Sequence, residues 1–286
     1  MTKEIITING VNYAYYWLQK SNPQNPVLIC LHGFTGTSQS FSFSFTDINV
    51  LAIDLIGHGQ TDVYVHPYRY KLSVLVKDLS LLTIQLNIDS FYLLGYSMGA
   101  RTALTWSIEQ PKGIKGLVME GGTPGIQSPL EKIERQKQDN RLATMLFTSS
   151  LAHFIEYWES LPIFNSQKML PLSVRRNIRQ ERLSQQVMGL TLSLMYMGTG
   201  QQKNYWPDLK QLQLPILYLV GEEDVKFQKI GKQFIEQNKC FRMIQVANSG
   251  HCIHLEQPKD FERLVGQWIK EEETKHAINK NKSTPI

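Results

Sequence analysis

Residues 91–101 read "FYLLGYSMGAR". An apolar run, Phe91 to Leu94, ends at Gly95-Tyr96-Ser97-Met98-Gly99, and a helical pattern begins at once. A serine at so sharp a strand-to-helix turn needs small neighbours, because the backbone is crowded there. Gly95 and Gly99 meet that need in the G-x-S-x-G pattern. The turn throws the Ser97 hydroxyl clear of the sheet and sets the Met98 N–H at a helix start, facing any negative charge that develops beside the serine. The pentapeptide alone recurs by chance in many sequences. Its place between an apolar strand and a helix makes it a nucleophile elbow.

The rest of the chain supplies the sheet that such an elbow requires. Two β-rich stretches, Glu4 to Ile8 and Tyr13 to Leu18, flank Asn9-Gly10, a hairpin turn signal. Short apolar runs follow at Val27–Leu31, Val50–Ile53, Phe91–Leu94, Gly116–Met119, Ile216–Val220 and Met243–Val246. They lack strict alternation, as strands buried on both faces of a parallel sheet do. Helical patterns such as Ser73–Leu86 and Gly99–Glu109 lie between them, so the expected fold is α/β, with a mostly parallel central sheet and right-handed crossovers. The alternation stops near Thr123 and resumes near Pro215. Core residues 1–122 and 206–270 therefore bracket a helical insertion over 123–205, placed to lie across the strand ends as a lid. The closing stretch "KHAINKNKSTPI" has no periodicity, and residues 271–286 read as a flexible tail.

Composition excludes several classes. With 286 residues and 42% apolar content, the chain can bury a large core and has no disordered or fibrous bias. Cys30, Cys240 and Cys252 have no metal-ligand spacing and point to free thiols in a reducing compartment. The opening stretch "MTKEIITINGVNYAYYW" lacks the uninterrupted apolar core and small-residue cleavage site of a signal peptide, and no stretch approaches the about 20 apolar residues of a membrane helix. We expect a cytoplasmic protein with no membrane partner. The net charge is +5, and residues 123–205 hold ten Lys or Arg against six Asp or Glu. Nucleic-acid binders carry denser basic stripes interleaved with aromatics. A small anionic ligand suits this modest excess better, while the oligomeric state is not legible.

The elbow needs a base and an acid, and the chain offers both in the order Ser, Asp, His. "PILYLVGEEDVKF" ends a strand in acids, with Asp224 projecting from the loop and Glu222 and Glu223 competing for the role. "VANSGHCIHLEQP" places His251 in a loop before a helix, with His254 in that helix's first turn. "LHGFTG" follows a strand directly, so the Phe34 N–H is a second candidate oxyanion donor beside that of Met98, while His32 reads as a loop-holding residue. "DLIGHGQTD" lacks both G-x-G-x-x-G and a Walker lysine and is assigned structural work. Cys252 beside His251 reads as a packed, inert thiol.

With Ser97, Asp224 and His251 placed, the chain resembles the α/β-hydrolase superfamily. Over residues 4–270 it looks like the 2-succinyl-6-hydroxy-2,4-cyclohexadiene-1-carboxylate synthases, the pyruvate-eliminating lyases of menaquinone (vitamin K2) biosynthesis. "GYSMGAR", "ERQKQD" and "MGTGQQ" are the discriminating stretches, while "LHGFTGT", "DLIGHGQTD", "LVGEEDVKF" and "GHCIHLEQP" are partly generic to the superfamily. Ala100 stands where the family often has a second glycine after the elbow. The resemblance implies a substrate with three carboxylates, on the ring, the succinyl arm and the enolpyruvyl ether. It implies as substrate-binding residues Tyr96 before the nucleophile, Arg101 in "SMGAR", Arg135 in "ERQKQD", Trp158 in "EYWESLPIF" and Arg182 in "QERLSQQ". Guanidinium forks match carboxylates bidentately. Read without the resemblance, Arg135 and Arg182 are surface-helix residues, Arg135 pairing with Asp139 at i+4, and Arg176 and Arg179 remain alternatives.

The implied chemistry is proton abstraction by a Ser–His–Asp-assisted base rather than acyl transfer, with no metal and no organic cofactor. A serine hydrolase of carboxylic esters or vinylogous C–C bonds is the competing reading, because the elbow and triad alone do not specify a reaction. A non-catalytic small-molecule receptor on the same fold is the third. Three cations around one pocket favour the lyase.

Overall fold

The computed structural model describes residues 3–282. Among these, strands β1 (Lys3–Ile8), β2 (Val11–Gln19), β3 (Val27–Leu31), β4 (Asn49–Ile53), β5 (Phe91–Tyr96), β6 (Ile114–Glu120), β7 (Ile216–Gly221) and β8 (Phe241–Val246) form one sheet. Its order is β1-β2-β4-β3-β5-β6-β7-β8. The β1–β2 and β2–β4 pairs are antiparallel, and from β4–β3 onward every pair is parallel. Asn9 and Gly10 close the β1–β2 hairpin with φ of 49° and 78°, the two positive values that a tight primed turn demands.

Helices α1 (Leu72–Gln85), α2 (Met98–Glu109), α3 (Pro129–Thr148), α4 (Leu151–Ser160), α5 (Leu172–Leu183), α6 (Val187–Met197), α7 (Val225–Ile235), α8 (Ile253–Glu256) and α9 (Pro258–Lys282) complete the chain. Successive strand residues feed opposite faces, which is why the strand runs show no polar alternation. Ile29, Leu31 and Leu93 pack with Leu75, Leu79, Leu104 and Phe234 under α1, α2 and α7. Cys30, Leu94 and Val118 pack on the other face with Phe41, Phe261, Val265 and Trp268, the last three from α9. Helices α3, α4 and α6, between β6 and β7, share a smaller core of Ala143, Leu146, Phe154, Ile155, Leu190 and Leu194.

The C-terminal expectation is corrected. Residues 271–282 are not an irregular tail but the second half of α9, and residues 283–286 lie outside the described residues. The helix continues because its surface there has partners. Glu273 reaches back to Lys115 and to the Tyr92 hydroxyl, and Lys275 pairs with Glu272 one turn earlier at 2.7 Å.

Candidate active site

Five loops at the carboxyl ends of parallel strands, those after β3, β5, β6, β7 and β8, meet over the sheet, where a fold of this kind places its ligands. Ser97 follows β5 with φ 51° and ψ −102°. That strained conformation is pinned from three sides. The Ser97 N–H donates to the Glu120 carbonyl (2.8 Å), and its own carbonyl accepts from the Arg101 N–H (3.1 Å). A Cβ on Gly99 would stand 1.9 Å from the Leu31 carbonyl oxygen, and one on Gly95 would stand 2.3 Å from the Gly99 oxygen. Only glycines let strand and helix approach so closely.

His251 Nδ1 lies 2.7 Å from Asp224 Oδ2, and His251 Nε2 lies 3.0 Å from Ser97 Oγ. The carboxylate fixes the proton on Nδ1, leaving the Nε2 lone pair to accept the serine proton. Asp224 is held as the N-cap of α7, its Oδ1 accepting the Phe227 N–H (3.3 Å). Glu222 turns instead to the Asn248 N–H. The imidazole is packed between the rings of Phe227 and Tyr96, at centroid distances of 4.7 and 5.4 Å. Gly121, at φ 58°, lies beneath it, where a Cβ would come within 2.6 Å of His251 Cε1.

A cavity of about 470 Å³ opens on this group, lined among others by Phe34, Ser97, Met98, Arg101, Arg135, Trp158 and His251. The Phe34 and Met98 N–H groups find no acceptor in the chain among the described residues. Arg101 is 8% exposed, and its Nη1 donates to the Met197 carbonyl (2.7 Å). Burial lowers its pKa to about 10; the Arg135 charge adds to that, and Asp139 opposes it. Asp139 gives its carboxylate to Arg135 (2.8 Å) and to the Gly200 N–H, so among the described residues Arg101 forms no ion pair. The Trp158 ring meets Phe34 edge-on at 5.1 Å, and its indole N–H has no acceptor among the described residues.

Two expected binding residues, Arg182 and Tyr96, do not line this cavity but a smaller pocket that shares Phe34 and Phe164 with it. Arg182 is buried against Glu159 (3.2 Å) and Gln167 Oε1 (3.1 Å), with its guanidinium 4.9 Å above the Phe164 ring. The i, i+3 and i+4 rows of α5 divide between two faces, and Arg182 falls on the one packed against α4. Tyr96 has its ring between His251 and His254 and lines the smaller pocket. Arg179 pairs with Glu159 as well. One cation that sequence reasoning passed over does line the Ser97 cavity: Lys226, two residues after Asp224. A lysine early in an exposed helix carries no sequence signal that separates it from solvated surface.

His32, His58 and His254 are buried around the site and hold its backbone. His32 Nε2 accepts the Leu55 N–H (2.9 Å) while Nδ1 bonds the Gly33 carbonyl (2.8 Å), an arrangement that only the neutral ring satisfies. Burial drops His32 to about 4 and His58 to about 3, the latter further lowered by His32. Although their spacing predicted no cluster, Glu120, Cys252 and His254 converge within 4.8 Å behind the elbow. Both Glu120 oxygens are occupied there by His254, through its N–H and its Nδ1. Burial raises the Cys252 thiol, in keeping with an inert packed group.

The sequence profile of the alpha/beta hydrolase fold matches residues 26–258. A Salmonella agona (strain SL483) protein named 2-succinyl-6-hydroxy-2,4-cyclohexadiene-1-carboxylate synthase is 33% identical over 244 residues, covering 82% of this chain and 90% of the relative. The chain belongs to this enzyme family. A Bacillus subtilis (strain 168) protein provisionally assigned to the same activity is 35% identical over 271 residues, covering 94% of this chain and 98% of its own. The structure titled as MenH from S. aureus superposes with a TM-score of 0.83 at 32% identity, covering 91% of this chain and 98% of that one. A thermophilic esterase from Thermogutta terrifontis also superposes, with a TM-score of 0.81 at 20% identity over 95% of this chain and 99% of its own, and shows the fold alone. No helix among the described residues is long and apolar enough to cross a membrane.

Proposed function

We propose that this member of the family is a carbon–oxygen lyase that eliminates pyruvate from 2-succinyl-5-enolpyruvyl-6-hydroxy-3-cyclohexene-1-carboxylate, giving 2-succinyl-6-hydroxy-2,4-cyclohexadiene-1-carboxylate for menaquinone biosynthesis. Arg101 is the observation that carries the reading. A guanidinium more than nine-tenths buried, with no ion pair among the described residues, opens on the same cavity as Ser97 and His251. Leaving a buried charge unpaired costs several kcal/mol, so such a group belongs to a site whose ligand completes it. A neutral ester gives it no counter-charge; a carboxylate does.

In this reading Ser97, His251 and Asp224 are the catalytic residues. Ser97 Oγ takes the proton alpha to the succinyl ketone as its own proton passes to His251 Nε2. Asp224 holds the imidazole and balances the imidazolium. The resulting enolate oxygen accepts the Phe34 and Met98 N–H groups, which are otherwise unengaged. Electrons then return from the enolate into the ring, the C–O bond to the enolpyruvyl group breaks, and the departing pyruvate enolate takes up the proton held on His251, which frees pyruvate and returns the triad to its starting state. No covalent enzyme intermediate is needed. Arg101 and Arg135 bind substrate carboxylates, with Trp158 closing the cavity. The segment over 123–205 serves as the lid and residues 1–122 and 206–270 as the two halves of the core.

Purified protein supplied with the enolpyruvyl substrate should release pyruvate stoichiometrically with the cyclohexadiene product, while p-nitrophenyl esters turn over slowly or not at all. Rapid ester hydrolysis without pyruvate release would make the protein a serine hydrolase.

A further inference from the structure

Glu120 ends β6 with both its backbone and its side chain committed beside the triad. Its carbonyl accepts the Ser97 N–H (2.8 Å), one of the bonds that hold the elbow. Its fully buried carboxylate reaches the segment after β8, where Oε1 accepts the His254 N–H (3.0 Å) and Oε2 bonds His254 Nδ1 (2.7 Å). Among the described residues Glu120 forms no other ion pair. A buried carboxylate that loses its donors is strongly unfavourable, so His254 is held firmly to β6. His254 lies three residues after His251, and the Tyr96 ring fills the space between them, with centroid distances of 5.0 and 5.4 Å. Other bonds of this loop lead elsewhere. The Asp224 carboxylate and the Glu223 N–H, which donates to the Ser249 carbonyl (2.9 Å), attach it to the segment after β7. Glu256 accepts the Gly250 N–H (2.6 Å) from within the loop's own segment. The Glu120 bonds attach it to the strand that also holds Ser97.

We infer that Glu120 and His254 are positioning residues that set the reach from Ser97 Oγ to His251 Nε2. The inference rests on the proposed catalytic role of Ser97 and His251, but not on the reaction they carry out. Neither Glu120 nor His254 lines the Ser97 cavity, so neither touches a ligand bound there. Serine and histidine arrive from different strands, β5 and β8, and their 3.0 Å contact depends on how those strand ends are registered. Glu120, bonded to both segments, supplies that register. A displacement of about 1 Å in such a contact costs on the order of a hundredfold in rate. A residue that only stabilised the fold would lower the melting temperature and leave the rate of the folded protein alone.

The test compares wild type with Glu120→Ala, His254→Ala and the double variant, well below all their melting temperatures. With the enolpyruvyl substrate each variant should lose about tenfold or more in kcat, with KM changed by less than about twofold. The double variant should be little worse than the poorer single one, because both changes break the same tie. Glu120→Gln should recover most of the loss, since its amide still accepts the His254 N–H and can donate to a neutral ring. Diisopropyl fluorophosphate provides a readout that needs no substrate. Ser97 Oγ displaces fluoride from phosphorus as the serine proton passes to His251, and intact-protein mass follows the adduct. Labelling of the single variants should slow by about the same factor as kcat. Cys252→Ala alters the same buried cluster without breaking the tie, and it should label and turn over as wild type does. Wild-type rates in folded His254→Ala would overturn the inference; that change leaves β6 intact, so it serves even if Glu120→Ala does not fold. So would a loss carried by KM alone, or an equal slowing in Cys252→Ala, which would make the effect one of packing. If wild type takes the label but releases no pyruvate, the lyase reading fails and the positioning pair stands. If wild type takes no label, Ser97 is not activated by His251 and the inference falls.

Discussion

Ser97 holds a backbone conformation that costs on the order of 1–3 kcal/mol in an L-residue. The elbow sustains it because Gly95 and Gly99 let β3, β5 and α2 interlock around the turn. The hydroxyl so presented is useful only beside His251, and His251 only when Asp224 fixes its proton, so the three act as a unit. Ser97→Ala and His251→Ala should each cut kcat by several orders of magnitude, and the double variant should be little worse than either, a non-additivity that steady-state kinetics on folded protein reads directly. Gly121 gives a subtler test. Gly121→Ala adds a methyl against the imidazole at a left-handed φ, so turnover should fall at least tenfold, well beyond what a melting-temperature loss worth about 1–2 kcal/mol accounts for. Arg101 was legible from its place four residues after the serine. That Arg182 and Tyr96 do not line the same cavity was not, because which face of α5 meets α4, and which side of β5 a ring occupies, follow from packing between distant segments.

Helix α5 is fastened to the core by a single carboxylate. Glu181 Oε1 accepts from the Thr37 N–H (2.7 Å), the Thr37 hydroxyl (2.6 Å) and the Ser40 hydroxyl (2.7 Å), while Arg182 ties the same helix to α4 through Glu159. Hydrogen bonds to a charged group contribute about 1.5–3 kcal/mol each when buried and less at partial exposure. Glu181→Ala should therefore free α5 first. Limited proteolysis should cut within residues 165–186 sooner than in wild type, before the sheet unfolds, and uniform cleavage rates in the two proteins would refute that role. The strands and the two central helices were readable from apolar runs and their spacing, since strands buried on both faces leave a plain signature. The long α9 was not. Its last turns have almost no apolar face, and their support comes from Lys115 and Tyr92, which lie far away in sequence.

At the scale of the whole molecule, two neutral histidines are buried under the active-site floor, and they couple the fold to pH. His32 at about 4 and His58 at about 3 both lie below the ordinary 6.5. Between pH 6.5 and about 4 the unfolded chain binds protons that the folded chain refuses, so stability is full above 6.5 and falls as pH drops through that window. The slope approaches about 1.4 kcal/mol per pH unit for each histidine. Urea melts at pH 7, 6 and 5 should show the decline, and His58→Asn should make it shallower; a midpoint independent of pH over this range would contradict the assignment. The fold, the elbow and the triad order were legible because they are local patterns joined by a fixed topology. The cavity's charge balance was not, because it depends on which acids the arginines have already claimed. That balance and the triad meet in the central claim, that the serine here removes a proton and is never acylated. The most direct measurement follows a single turnover of the enolpyruvyl substrate, assaying pyruvate while the intact protein mass is recorded at each quench. The account predicts one pyruvate per active site with the protein mass unchanged throughout. An adduct on Ser97 that forms and decays with product release, absent in Ser97→Ala, would contradict it.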